Sequence, residues 1–143
     1  MDQDPDHIGV ELWRGFKAYE AAMFDRVARL GFDDITVTDS DVLVQIGPLG
    51  QSMVQIASGR GVSKQAIQGQ VRSLVQRGYV RIEPDPNDAR AKRVMHTDKG
   101  RALVAALVQV KTALHAEVVD LLGPDDLAQL RKTLDAIANE VAP

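Results

Sequence analysis

The sequence predicts a mainly α-helical fold that carries one two-stranded β-hairpin. Apolar residues recur at helical spacing over most of the chain, in segments separated by Gly, Pro, Ser and Asp. The period changes to two in one place, on both sides of a turn rich in Pro and Asp at residues 84–88. The length of 143 residues, 45% of them hydrophobic, suits a single domain with its own core.

Three helices are predicted before residue 60. The first ends near Gly31 and carries one apolar stripe at spacings of three and four. Its members are Ile8, Leu12, Phe16, Tyr19, Met23, Val27 and Leu30. A short second helix should begin at Thr38 or Ser40, which are good caps, and end at Gly47-Pro48. A third is predicted from Leu49 to Ala57, before Ser58-Gly59-Arg60-Gly61 breaks it.

A fourth helix and a hairpin are predicted next. Ser63 is placed to cap the helix, which closes at Gly78. Ile67, Val71 and Leu74 form its buried side, and the opposite side is polar. That side carries Lys64, Gln65, Gln68, Arg72, Ser73 and Gln76. Residues 79–83 and 92–96 then alternate as strands, so we expect a hairpin with a basic tip.

The last part of the chain predicts two more helices. A long one starts after Thr97-Asp98, and its apolar stripe is Leu103, Leu107, Val110, Leu114, Val118 and Leu121. Gly123-Pro124 should end it and open another, since Gly suits the end of a helix and Pro its first turn. The apolar positions of that final helix are Leu127, Leu130, Leu134, Ile137 and Val141.

Charge is unevenly distributed along the chain. The net charge is -3, but residues 60–101 hold ten basic and four acidic residues, a net of +6. The remainder therefore carries -9. Such a division within a small domain predicts one face that meets phosphate.

Composition excludes several classes of function. The chain has no cysteine, which excludes disulfides, thiolate nucleophiles and thiol redox sensing. His7, His96 and His115 lie far apart, so no metal site and no cofactor are expected. No apolar run approaches the roughly 20 residues of a membrane helix, and the acidic start Met1–Asp6 lacks the features of a secretion signal. We therefore expect a cytoplasmic protein.

Enzymatic function is not expected either. The clustered carboxylates, Asp33-Asp34 and Asp125-Asp126, lie near predicted helix starts, where they would serve the helix dipole. The chain also lacks a Gly-rich run that cradles phosphate.

The predicted order of elements suggests a winged helix-turn-helix. Two short helices are joined by a turn, the second has a polar outward face, and a basic hairpin follows at once. The fourth helix, capped by Ser63, should enter the major groove of DNA, where side chains read base edges. The hairpin should meet phosphates or the minor groove. The predicted DNA-binding residues are Ser63, Lys64, Gln65, Gln68, Arg72, Ser73, Arg90, Lys92 and Arg93.

Three segments closely resemble the MarR family of bacterial transcriptional regulators. They are Gly61-Val62-Ser63-Lys64-Gln65-Ala66-Ile67, Gly78-Tyr79-Val80, and residues 85–94 with Thr97-Asp98-Lys99-Gly100. The resemblance implies that Arg90 enters the minor groove while Asp88 holds either the wing or Arg90 in position. It also implies a homodimer, control by a small aromatic or anionic effector, and repression of transcription, although the family includes activators as well. Residues that depart from the family pattern are Gly69, Arg72, Ala89 and His96.

These observations predict a single domain over residues 1–143. Residues 36–97 should form the winged helix-turn-helix lobe, and residues 7–31 and 98–142 a helical dimerisation region. Two alternatives remain open: a winged-helix module that binds another protein, and a DNA-binding regulator that responds to no ligand. The first would place apolar side chains on the outward face of the fourth helix, where the sequence has polar and basic ones.

Overall fold

The computed structural model describes residues 7–141, which form five helices and one hairpin. The elements are α1 (Ile8–Arg29), α2 (Val37–Ile46), α3 (Met53–Arg60), α4 (Lys64–Gln76), β1 (Val80–Asp85), β2 (Asp88–His96) and α5 (Asp98–Glu140). Their order confirms the predicted mainly α fold with a β-hairpin. The acidic start Met1–Asp6, on which the expectation about secretion rested, lies outside the described residues.

Helix α1 starts at a histidine for which the sequence suggested no role. The Nδ1 atom of His7 accepts a hydrogen bond from the backbone N–H of Gly9, at 3.2 Å, and so caps the helix. Of the predicted apolar stripe, Met23 and Val27 are buried. The amino-terminal part of the stripe is exposed, and both Ile8 and Phe16 have 60% of their surface accessible.

Helix α2 begins earlier than predicted. Its cap is Thr36, whose hydroxyl accepts from the N–H of Asp39 while the Asp39 carboxylate accepts from the N–H of Thr36. Thr38 and Ser40 were the predicted caps, and this prediction is wrong because both lie inside the helix. A reciprocal pair satisfies two free amides, whereas a single hydroxyl at either predicted position would satisfy one.

Helix α3 is displaced from its predicted range. It starts after Ser52, which forms the same reciprocal pair with Gln55, and it ends at Arg60. Leu49, the predicted first residue, lies in a turn and is 77% exposed. The predicted break at residues 58–60 does not occur, because the chain leaves the helix only at Gly61, with φ of 63°.

Helix α4 agrees with the prediction. The hairpin is also confirmed, but its turn is shorter than predicted, because β1 reaches Asp85 and β2 already begins at Asp88. Ser63 caps α4, and its predicted apolar side is fully buried. Strands β1 and β2 are antiparallel, with Val80 opposite His96 and Ile82 opposite Val94. On its other edge, Val94 exchanges two backbone hydrogen bonds with Gln51, of 2.8 and 3.1 Å. That bridge fastens the base of the hairpin to the segment before α3.

Helix α5 starts after Thr97, whose hydroxyl accepts from the N–H of Gly100 at 3.1 Å. The predicted interruption is confirmed, since Gly123 has φ of 78° and ψ of 167°, which no helix contains, and Pro124 follows. Two helical stretches therefore meet at Gly123. Leu103, Leu107, Val110 and Leu114 are buried, whereas Leu121 is 81% exposed.

The chain divides into two compact units, one up to Leu107 and one from Val108. The first contains α1 to α4, the hairpin and the start of α5. Its core is built around large side chains that are fully buried. They are Tyr79, Leu43, Ile46, Ile56, Ile67, Leu74, Leu103 and Leu107.

The expectation that no apolar run is long enough to span a membrane is wrong for α5. This helix contains an 18-residue window with a mean hydropathy of 1.5, and 28% of that window is buried within the chain. By length and composition alone, α5 is long and apolar enough to cross a bilayer. A single helix of this kind is weak support for a membrane span, because a core helix of a soluble protein meets the same criterion.

Candidate nucleic-acid interface

The outward face of α4 is set by the burial of its opposite side. Ser63 accepts a hydrogen bond from the N–H of Ala66 at 3.1 Å, which defines where the helix begins. Ile67, Val71 and Leu74 have no accessible surface, so the helix cannot rotate about its axis without exposing them. The exposed residues of α4 are Lys64, Gln65, Ala66, Gln68, Gly69, Arg72, Val75 and Gln76. Amide and guanidinium groups of this kind can read base edges.

The tip of the hairpin is held by two carboxylates. Asp85 accepts a hydrogen bond from the N–H of Asn87 at 2.8 Å, and Asp88 accepts one from the N–H of Arg90 at 3.0 Å. Both are short side chain to backbone bonds that stabilise a turn. The side chain of Arg90 is exposed beyond them. Asp88 therefore shapes the backbone from which Arg90 projects.

An open groove of about 410 Å³ separates α4 from the hairpin. We call it the α4–wing groove. Four of the predicted DNA-binding residues line it, two from the helix and two from the hairpin: Lys64, Gln68, Arg90 and Lys92. Its other lining residues are Ser52, Met53, Val54, Ile82 and Ala91. The groove thus combines polar and basic side chains with apolar ones, which suits DNA, a polyanion with flat apolar bases.

Two neighbouring cations of β2 lie on opposite faces of the hairpin, although the sequence grouped them together. Lys92 lines the α4–wing groove. Arg93 lies opposite Glu83 in the register, and successive strand residues point to opposite faces. The Nε atom of Arg93 is buried and has no hydrogen-bond partner among the described residues. Arg93 is therefore not directed into the groove.

The other predicted contact residues are divided between two places. Gln65 and Arg72 are exposed on α4 but do not line the groove. Ser73 is half-buried, and its hydroxyl accepts a hydrogen bond of 3.1 Å from Arg77. The structure thus uses the Ser73 side chain to hold the end of α4.

Sequence reasoning missed the residues that α3 contributes to the groove. Ser52, Met53 and Val54 lie at the start of that helix, which the prediction placed too early. The signal that would have located them is the spacing of Ser52 and Gln55, which is the sequence pattern of a capping box. Ile82 was assigned correctly to the first strand, but its position beside the groove depends on the fold.

The guanidinium of Arg77 holds the carboxyl end of α4 through hydrogen bonds to Asp39 and Asp34. Arg77 donates two parallel hydrogen bonds of 3.0 Å to the carboxylate of Asp39, and one of 2.6 Å to the backbone carbonyl of Asp34. Burial alone would raise the pKa of Asp39, but hydrogen bonds from Arg77 and Thr36 outweigh burial and lower it. The same hydrogen bond to Asp39 raises the pKa of Arg77. Both groups are therefore charged at neutral pH.

Tyr79 joins the same region and is fully buried. Its hydroxyl donates a hydrogen bond of 2.5 Å to the Asp34 carboxylate. Burial, together with this contact, raises the pKa of Tyr79. The expectation that Asp34 serves the dipole of a following helix is wrong, since its carboxylate binds Tyr79 and α2 starts three residues later.

His96, which departs from the family pattern, is also buried. Its Nε2 atom lies 2.7 Å from the carbonyl oxygen of Leu43 and donates to it, since a carbonyl can only accept. This bond ties the end of β2 to α2. His96 therefore has a structural role at the base of the hairpin.

Comparison with known proteins shows which regulators the chain is similar to. A family model described as MarR family matches residues 33–91, which span the lobe from the turn before α2 to the hairpin tip. The chain is 26% identical over 110 residues to the HTH-type transcriptional regulator TcaR of Staphylococcus aureus (strain Newman), which covers 76% of this chain and 73% of TcaR. Over its winged helix-turn-helix lobe, the chain is similar to the MarR family.

Solved structures of MarR proteins share the fold. A mutant of Escherichia coli MarR complexed with operator DNA superimposes with a TM-score of 0.72 and 25% identity, covering 96% of this chain and 99% of that one. CouR of Rhodococcus jostii RHA1, bound to p-coumaroyl-CoA, gives a TM-score of 0.67 and 29% identity, with 97% of each chain covered. The winged helix-turn-helix prediction is confirmed. The protein is a DNA-binding transcriptional regulator, and the relatives named here are regulators, not enzymes.

Proposed function

We propose that this protein is a homodimeric repressor that binds a pseudo-palindromic operator and is released by a small aromatic or anionic effector. The observation that carries the proposal is the α4–wing groove, where Lys64 and Gln68 of the helix face Arg90 and Lys92 of the hairpin. The proposal rests on this juxtaposition because each element alone would be an ordinary solvated surface.

The proposed contacts divide into two kinds. Lys64, Arg90 and Lys92 supply charge to phosphates, which gives affinity that falls with salt. Ser63, at the amino end of α4, adds the free amides and dipole of a helix start, which favour an anion. Gln65, Gln68 and Arg72 lie on the outward face of α4 and read base edges in the major groove. Ser73 and Arg93, predicted from sequence as contacts, are not contacts in this proposal, because the Ser73 hydroxyl binds Arg77 and Arg93 does not line the groove.

Exposed apolar side chains support the homodimer. In the first unit, α1 leaves Ile8, Trp13 and Phe16 at least 60% accessible. In the second unit, α5 exposes Val108 and Leu121, and its apolar window is mostly unburied. Large apolar surfaces on separate helices mark an interface. We propose that residues 7–31 and 98–142 supply it, as in the predicted domain organisation.

Dimer geometry determines the form of the operator. Two copies related by a twofold axis place two α4 helices in successive major grooves, about 34 Å apart. The operator should therefore read as two inverted half-sites one helical turn apart. Bound over a promoter, such a dimer would block polymerase, which is the proposed repression. This action requires a cytoplasmic location.

Control by an effector follows from the same geometry. A molecule that changes the distance or tilt between the two winged lobes would remove the match to the half-site spacing. CouR, at 29% identity, was crystallised with p-coumaroyl-CoA, a ligand that is both aromatic and anionic. This relative supports the proposed class of effector for the present protein.

The deciding experiment selects bound fragments from a random duplex pool and measures affinity by fluorescence anisotropy at two salt concentrations. We expect an inverted repeat, a sedimentation mass of two chains, and repression when the selected site is placed at a promoter in a transcription assay. Phenolic acids and their thioesters are then added to the complex.

Other outcomes separate the alternatives. A dimer that binds the selected site but ignores every added aromatic acid would favour a ligand-insensitive regulator. Binding that shows no preference over random duplex would contradict the proposed operator. A monomer that ignores duplexes at low salt would contradict the proposed function as a whole.

A further inference from the structure

The carboxyl end of α4 is held from two sides by polar contacts that the DNA interface does not explain. On one side lies the segment before and at the start of α2, and on the other the start of α5. We call the set Asp34, Asp39, Arg77, Tyr79, Thr97 and Lys99 the α4 anchor. All of its members lie in the first unit of the chain.

On the α2 side, the contacts are made by side chains with fixed geometry. The fork of Arg77 matches the two oxygens of Asp39 and is completed by the Asp34 carbonyl and the Ser73 hydroxyl. Tyr79 adds its hydrogen bond to Asp34. A planar bidentate pair fixes orientation as well as distance, so α4 cannot turn against α2 without losing bonds.

On the α5 side, three consecutive backbone carbonyls at the end of α4 are occupied. The ammonium of Lys99 donates to the Arg77 carbonyl at 2.8 Å, and the hydroxyl of Thr97 donates to the Gly78 carbonyl at 2.5 Å. The N–H of Thr97 donates to the Tyr79 carbonyl at 3.1 Å. The Lys99 nitrogen also lies 4.3 Å from the centre of the Tyr79 ring, a cation–π distance.

The position of the α4 anchor matters because a helix is stiff. Thirteen residues of helix measure roughly 20 Å, and the α4–wing groove is lined from the amino-terminal half of α4. A tilt of about 5° at the anchored end would move the opposite end by roughly 2 Å, which is enough to break a hydrogen bond to a base.

We propose that Arg77 and Lys99 are positioning residues for DNA recognition. They hold the carboxyl end of α4 against α2 and α5, and thereby set the angle at which α4 meets base edges. This inference rests on the proposed function, because it gives Arg77 and Lys99, which do not line the groove, a role in selecting the DNA sequence. Lys99 links α5 to α4, so a displacement of the start of α5 is passed to the recognition helix.

The test uses Lys99→Met in the full-length dimer, because methionine keeps an apolar stem over Tyr79 but removes the ammonium. Lys111→Met, at an exposed position of the same helix, is the control for charge. Lys99→Arg can restore a cation at the same site. Affinity is measured by anisotropy for the selected operator and for a scrambled duplex, and thermal unfolding is recorded for every variant.

We expect Lys99→Met to bind the operator about tenfold more weakly than Lys111→Met, the loss typical of one broken bidentate base contact. The affinity of the two variants for scrambled duplex should be equal, and Lys99→Arg should retain wild-type selectivity. Arg77→Lys, which keeps the charge but loses the fork, should show the same selective loss. If Arg77→Lys fails to fold, the comparison of Lys99→Met with Lys111→Met still tests the proposal.

Two results would overturn the proposal. One is equal loss on operator and scrambled duplex, since Lys99 would then supply charge instead of position. The other is an operator affinity for Lys99→Met that matches Lys111→Met. Hydrogen exchange of the free protein gives a separate readout, in which amides of residues 73–79 should exchange faster in Lys99→Met than in Lys111→Met. If the wild-type protein selects no duplex, the proposed function fails, and the exchange comparison alone tests the anchor.

Discussion

Gly100 lies directly against the backbone carbonyl of Tyr79. A Cβ atom built on Gly100 would be 2.0 Å from that oxygen and 3.1 Å from its carbon. The contact brings the first turn of α5 against the end of α4, where Thr97 also binds the Tyr79 carbonyl. Any side chain at position 100 would push these two elements apart.

Replacing Gly100 with alanine should therefore destabilise the protein, although alanine is the better helix former. The clash is with backbone, so no rotamer change relieves it, and overpacking of this kind costs about 1–3 kcal/mol. Urea unfolding of Gly100→Ala measures the change. A variant as stable as wild type would show that α5 can shift without loss.

Gly69→Ala is the matched change with the opposite expected sign. Gly69 is exposed in the interior of α4, and a Cβ there meets nothing within 4 Å. Alanine is preferred over glycine inside a helix by about 1 kcal/mol, so the free energy of unfolding should rise by up to that amount. The same urea titration measures it, and a decrease would contradict the helical geometry of α4.

The ion pair between Asp39 and Arg77 should appear in the pH dependence of stability. Asp39→Asn keeps a group that can accept from the N–H of Thr36 but removes the charge, with an expected loss of about 1.5–3 kcal/mol at neutral pH. Because the folded protein lowers the pKa of Asp39 below its ordinary value of 3.8, the ionised form favours folding. The contribution is complete above that value and is lost as the pH falls through the lower, folded value.

Stability of wild type and Asp39→Asn is compared by urea unfolding over a range of pH. The difference in unfolding free energy should be constant from neutral pH to about pH 5 and shrink below 3.8. The difference between the two proteins isolates this one carboxyl from the others. A difference that grew in acid would mean that the sign of the pKa shift is opposite to the one assigned.

Lys92→Ala and Arg93→Ala are neighbouring changes that remove equal charge from opposite faces of the hairpin. Since Lys92 lines the α4–wing groove, its removal should weaken DNA binding and reduce the dependence of log affinity on log salt by about one counterion. Arg93→Ala should change both quantities much less. Anisotropy titrations over a salt series measure them, and equal effects would mean that the hairpin meets DNA with both faces.

Gln68→Ala should change the choice of sequence. Gln68 is on the outward face of α4 and lines the groove, so loss of a bidentate contact would cost about 1–3 kcal/mol at one base pair. Gln76→Ala, an exposed glutamine at the other end of α4, is the control. Affinities for operator variants with single base changes test this, and an equal loss on every variant would exclude base reading by Gln68.

Sequence periodicity located the elements but misplaced the starts of α2, α3 and β2. The apolar spacing of α1, α4 and α5 and the alternation of the hairpin depend on neighbours within a few residues, and the helices and hairpin that they predict are confirmed. The starts of α2 and α3 depend on which hydroxyl forms a reciprocal pair with the residue three positions on. Thr36 with Asp39 and Ser52 with Gln55 satisfy that rule, and the prediction overlooked both.

By itself, the sequence determined the order of the elements, the basic segment and the resemblance to the MarR family, because local spacing and short motifs carry that information. Only the tertiary structure decided which cations share the groove and which residues hold the end of α4. Arg77 and Asp39 are 38 positions apart, and Tyr79 and Asp34 are 45 apart. Contacts at such separations depend on how buried faces pack, and no local pattern records that packing.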